Sequence, residues 1–102
     1  MVNFKLGILK KKINMEMLKV DKKLCKKYRP NIKVKNYFCT PLKMSRTILF
    51  EDNVYMSIET KCGGGDFFND MVNDMKTSNL KVNLLKKEIE KDGKVINLYT
   101  ID

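Results

Sequence analysis

Thr47-Ile48-Leu49-Phe50-Glu51-Asp52-Asn53-Val54-Tyr55-Met56-Ser57-Ile58-Glu59-Thr60 is the stretch that decides the fold. Two strand-length runs rich in β-branched and aromatic residues flank Asp52-Asn53. Asp and Asn tolerate the left-handed conformation that a tight primed turn needs. Residues 47–60 are therefore expected to form a β-hairpin.

Upstream, residues 32–39 alternate as a strand. Ile32, Val34, Asn36 and Phe38 are expected on one face, and Lys33, Lys35, Tyr37 and Cys39 on the other. Thr40-Pro41 closes this run. Before it, Ile13, Met17, Val20, Leu24 and Tyr28 recur every three or four residues over 13–28, a helical stripe. Lys12, Lys19, Lys22, Lys23, Lys26 and Lys27 project to the opposite side of that helix. Asn14 is a candidate cap. Arg29-Pro30 ends the helix, because the residue before proline is pushed out of the α region. Val2, Phe4, Leu6 and Ile8 share one face of a strand expected over 2–9.

Downstream, Cys62-Gly63-Gly64-Gly65 is a flexible break and Asp66 a candidate cap. Phe67, Phe68, Met71, Val72 and Met75 then mark a second helix through about Lys76. Asp66, Asp70 and Asp74 lie on another of its faces, so this helix is acidic where the first is basic. Residues 80–89 and 94–101 are expected to pair through Lys91-Asp92-Gly93-Lys94, where Asp-Gly signals a hairpin. Residues 84–90 also suit a helix.

The order β-α-β-β-β-α-β-β implies an α+β fold: a single, mostly antiparallel sheet with two helices packed on one face. A split β-α-β arrangement resembling the ferredoxin-like fold is one way to wind it. At 102 residues the chain is expected to be a single globular domain, 1–102.

The charge is uneven. Residues 1–46 hold 12 lysines and two arginines against Glu16 and Asp21, a balance of +12; residues 47–102 hold seven lysines against ten carboxylates, a balance of −3. Lysine, asparagine and isoleucine are plentiful and alanine is absent. That usage indicates an AT-rich genome, which accounts for abundant lysine but not for its crowding at one end. Such asymmetry points to a polyanionic partner.

Histidine is absent. This removes Ser/His and Cys/His nucleophiles, two-histidine zinc sites and the commonest general base near neutral pH. Cys25, Cys39 and Cys62 are too few and too widely spaced for a structural zinc site. Free thiols in a reducing cytoplasm are expected, with one disulfide as the alternative. No secretory leader and no run long enough to span a membrane is visible. No metal or other cofactor is expected.

Asp52 with Glu59-Thr60-Lys61 resembles the metal-binding core of one large nuclease superfamily, with a short gap between the carboxylates. Asp52 has a simpler role in the turn. Gly63-Gly64-Gly65-Asp66 lacks the lysine and hydroxyl of a nucleotide-binding loop. Neither carries a reaction.

The expectation is a small non-enzymatic binding protein. Its basic surface, Lys12, Lys19, Lys22, Lys23, Lys26, Lys27, Arg29, Lys33 and Lys35, engages a nucleic acid or a nucleic-acid-handling complex, with Tyr37 as the stacking candidate. Lysine outnumbers arginine, so phosphate contacts should outweigh base readout. A phage or mobile-element inhibitor of a host nucleoprotein defence, of the anti-CRISPR kind, is the concrete version. Two alternatives belong to other classes: a compact histidine-free ribonuclease toxin, and an interaction module whose Asp66, Asp70, Asp74 face binds the basic helix of a second copy.

Overall fold

Five runs of β-branched and alternating residues become strands of one sheet. The computed structural model describes residues 19, 21–40, 45–60 and 67–102. The strand expected at 2–9, the helix start from residue 13, Lys12, and the glycine break with Asp66 lie outside the described residues. The chain divides into two compact units, Met1–Ile32 and Lys33–Asp102.

In the first unit, Lys19 and residues 21–28 are helical and form α1. Its buried side holds Asp21 and Cys25, with Leu24 and Tyr28 half-buried. These four share one face at 100° per residue. The Arg29 N–H donates to the Cys25 carbonyl at 2.7 Å and closes the last turn. Pro30 has no N–H to continue the ladder.

The second unit carries β1 (Val34–Thr40), β2 (Ser45–Phe50), β3 (Tyr55–Thr60), α2 (Phe67–Thr77), β4 (Val82–Ile89) and β5 (Lys94–Ile101). The fold is α+β, with every strand pair antiparallel and the order β1-β2-β3-β5-β4. β3 and β4 both run against β5, so they are parallel to each other with β5 between them. The unit β3-α2-β4 is therefore a split β-α-β, one of the windings that the order of elements allows.

The two hairpins share one turn design. In β2–β3 the Asn53 N–H donates to the Phe50 carbonyl at 3.1 Å and the Phe50 N–H to the Val54 carbonyl at 2.9 Å. In β4–β5 the Gly93 N–H donates to the Glu90 carbonyl at 2.9 Å and the Glu90 N–H to the Lys94 carbonyl at 2.8 Å. Asn53 and Gly93 take φ of 61° and 87°. Each loop is thus a three-residue turn ending in a left-handed residue. This corrects the tight primed turn expected at Asp52-Asn53: only the second of those residues is left-handed.

Residues 84–89 lie in strand β4, which settles the helix-or-strand ambiguity. Pairing with β5 outweighs the local helix propensity of Leu-Leu-Lys-Lys-Glu. α2 ends where its stripe ends. The Leu80 N–H donates to the Met75 carbonyl and the Asn79 N–H to the Lys76 carbonyl, with Asn79 at φ 60°. This is a Schellman cap with asparagine in the glycine position.

Cross-strand register sorts the sheet into two faces. Ile48, Phe50, Met56, Ile58, Ile96 and Leu98 share one face and are all buried. Tyr55 and Tyr99 are on the other, stacked with ring centroids 5.4 Å apart. α2 crosses this second face. Phe68 meets Tyr99 edge-on at 5.2 Å, and the Tyr99 hydroxyl donates to Met71 Sδ at 3.5 Å. Phe68, Met71, Val72 and Met75 are half-buried, while Asn69, Asp70, Asn73 and Asp74 are exposed. That is the amphipathic division the stripe implies.

Candidate cationic interface

Lys19, Lys22, Lys23, Lys26 and Lys27 are all exposed on α1. At 100° per residue they fill one sector of about 140°. Asp21, the acid nearest them in sequence, is fully buried. Among the described residues Lys19, Lys22, Lys23 and Lys26 take part in no ion pair. Lys27 Nζ sits 5.4 Å from the centre of the Tyr28 ring, a cation–π contact.

The spacing sets like charges one turn apart. Pairs 19–22, 19–23, 22–26, 23–26 and 23–27 are all Lys–Lys at i,i+3 or i,i+4. Each such pair costs a few tenths of a kcal/mol, so the five together cost about 1–2.5 kcal/mol at low salt. An external polyanion would relieve that repulsion.

Arg29 is half-buried at the helix end, unlike the lysines before it. Cys25 is buried on the inner side, and burial together with the Asp21 carboxylate pushes its thiol up to about 11. It is a neutral side chain at physiological pH and a poor nucleophile.

In the second unit, Lys33 and Lys35 are exposed at the start of β1. The Lys33 backbone is tied to the β2–β3 turn. Its carbonyl accepts from the Glu51 N–H at 3.1 Å, and its N–H donates to Glu51 Oε1 at 3.3 Å. Tyr37 departs from the expected alternation. Val34 pairs with Phe50 and Asn36 with Leu49, so Lys35 is the extra residue of a bulge. Past the bulge Tyr37 is in register with Ile48, on the apolar face that Val34 shares, and its ring is half-buried.

The acidic face expected to bind a second copy is exposed at Asp70 and Asp74. The Asp52 and Glu59 carboxylates of the nuclease-like pattern are at opposite ends of β3, the first exposed in the turn and the second buried.

A different polar grouping was invisible in the sequence. Thr47, Ser57 and Asn97 are consecutive register partners across β2, β3 and β5, on the face that α2 crosses, and Glu59 follows two residues after Ser57. Ser57, Glu59 and Asn97 are buried. Among the described residues no polar group bonds to Ser57 Oγ or to either polar atom of the Asn97 amide. Alternating Ser57, Glu59 and Asn97 look like a solvated face in the sequence, and only the crossing of α2 marks this face as covered.

No helix among the described residues is long and apolar enough to cross a membrane. No family model matches the chain, and no curated protein or solved structure matches it either.

Proposed function

We propose that the chain is a small non-enzymatic binding protein whose cationic N-terminal surface engages a nucleic acid or a nucleic-acid-handling complex. The observation that carries this reading is the sector of exposed lysines on α1, crowded despite their mutual repulsion, with Asp21 buried away from them. Lys33, Lys35 and Arg29 add to the same positive region of sequence, as does Lys12. An inhibitor of a host nucleoprotein defence, acting in the cytoplasm and carried by a phage or mobile element, is the concrete form. Its support is the AT-rich residue usage and the lack of any enzyme motif in these residues.

Salt tests the reading. Five lysine–phosphate contacts give a slope of log K against log[salt] of about −3.5 for single strands and about −4.5 for duplex. Affinity then falls about 100- to 500-fold between 50 and 200 mM salt. Changing Lys22, Lys23, Lys26 and Lys27 to Gln should flatten the slope to about −1. Absence of RNA and DNA binding at about 50 mM salt rejects direct nucleic-acid contact. Capture from native lysate with and without nuclease then separates a nucleic acid from an acidic protein surface within the complex.

A further inference from the structure

Among the described residues β4 is an outer strand of the sheet. Its eight residues carry three large apolar side chains in the open, with Leu84 49% exposed, Leu85 57% and Ile89 63%. An outer strand presents a row of backbone N–H and C=O groups ready to pair with another strand. Between the apolar residues stand Lys86, Lys87 and Glu88, with Lys86 Nζ 2.9 Å from Glu88 Oε1.

Lysines on an edge strand guard against indiscriminate pairing. Here their order leaves one arrangement open. Two copies related by a two-fold axis normal to the sheet keep both faces continuous, so the axis must pass through a single residue pair. With the axis at Lys87, Lys86 faces Glu88 of the second copy twice, and Leu85, the extra residue of a bulge in the β4–β5 ladder, comes opposite Ile89 twice. With the axis at Lys86, Lys86 meets its own copy and Leu85 meets Lys87. With the axis at Glu88, Glu88 meets its own copy and Lys87 meets Ile89. Opposite charges directly across a strand pair stabilise it and like charges destabilise it. Only the first arrangement joins unlike charges and apolar side chains together. It leaves one like pair, Lys87 on the axis.

We propose that β4 is a self-pairing edge through which two copies of this chain associate antiparallel, with Lys87 on the two-fold axis. The occupant of the edge is a second copy because the strand's charge order is complementary to its own reversal. The pairing does not depend on what α1 binds.

Sedimentation of the full chain should show a concentration-dependent dimer. Lys86→Glu should weaken it about tenfold or more, since it turns both cross-copy attractions into repulsions. Lys86→Glu with Glu88→Lys should restore it, because the swap preserves every cross-copy pair. Leu85→Lys with Ile89→Lys should give a monomer whose circular dichroism is unchanged. Register is read by cysteine. Directly opposed residues have Cα atoms about 4.5–5.5 Å apart, within disulfide range. Lys87→Cys should therefore oxidise readily to a covalent dimer in a Cys39→Ser, Cys62→Ser background, and Lys86→Cys and Glu88→Cys should not. A wild-type monomer at about 100 µM would overturn the proposal. Equal cross-linking at all three positions, or failure of the charge swap to restore association in a folded protein, would overturn it too.

Discussion

Replacing Ser57 by Ala and Asn97 by Val should make the protein more stable, although both changes remove polar groups from the centre of the sheet. The two residues are register partners on β3 and β5 and are 2% and 1% exposed. Three of their side-chain atoms find no hydrogen-bond partner among the described residues. Each buried, unsatisfied donor or acceptor costs about 1–3 kcal/mol. At the low end of that range the pair of substitutions relieves about 3 kcal/mol. Imperfect filling by the smaller side chains returns about 1 kcal/mol. The β-branched valine also suits a central strand. A net gain of about 2 kcal/mol follows, which for a domain of this size raises the thermal midpoint by about 8–16 °C. The assay is thermal and urea unfolding followed by circular dichroism, with the two single variants measured beside the double. An unchanged or lowered midpoint in the double variant would refute the reasoning. It would mean that the row is satisfied in solution and that the polar atoms contribute to stability.

Other outcomes follow from the same packing. Phe50 and Ile58 are almost completely buried on the apolar face; truncation to Ala should cost about 3–5 and 2–5 kcal/mol respectively, measured by urea denaturation. Gly93 has φ of 87°, and a Cβ added there would meet only open space. Gly93→Ala should therefore cost about 1 kcal/mol from backbone strain alone, whereas Asn53→Gly should be close to neutral in the same assay. Burial and Asp21 raise the Cys25 thiol from 9.0 to about 11, and burial raises the Tyr99 hydroxyl from 10.0 to about 12. Both groups hold their protons more tightly when folded, so their contribution to stability is constant below about pH 9 and falls as pH rises towards 11 and 12. Each group adds up to about 1.4 kcal/mol per pH unit to that fall, and alkaline unfolding of Cys25→Ala should begin about one pH unit later.

Local signals carried far in this chain, and long-range ones did not. The hairpin at 47–60, the pair around Asp92-Gly93 and the stripe of α2 were all legible, because turn chemistry and periodicity are properties of neighbouring residues. The insertion of β5 between β3 and β4 was open to the sequence only as one winding among several, since pairing partners far apart in sequence leave no periodic trace. The bulges at Lys35 and Leu85 shift register by one residue, which alternation cannot reveal, and the first moved Tyr37 onto the apolar face. The lysine sector of α1 was fully readable as a helical wheel. The burial of Asp21 on its inner side was missed, although Asp21, Cys25 and Arg29 follow one another at intervals of four. The exposed leucines of β4 resembled core residues until the strand proved to be an edge.

The two bulges give the chain spare length. Val34 and Asn36 pair with adjacent residues Phe50 and Leu49, and Leu84 and Lys86 pair with adjacent residues Tyr99 and Leu98. Excising Lys35 or Leu85 would join two correctly faced segments into an unbroken ladder. Loss of a codon at either place would therefore be absorbed, whereas the same loss one strand inward would exchange inside for outside along the whole segment. The outer strands are where this sequence can change length and remain itself.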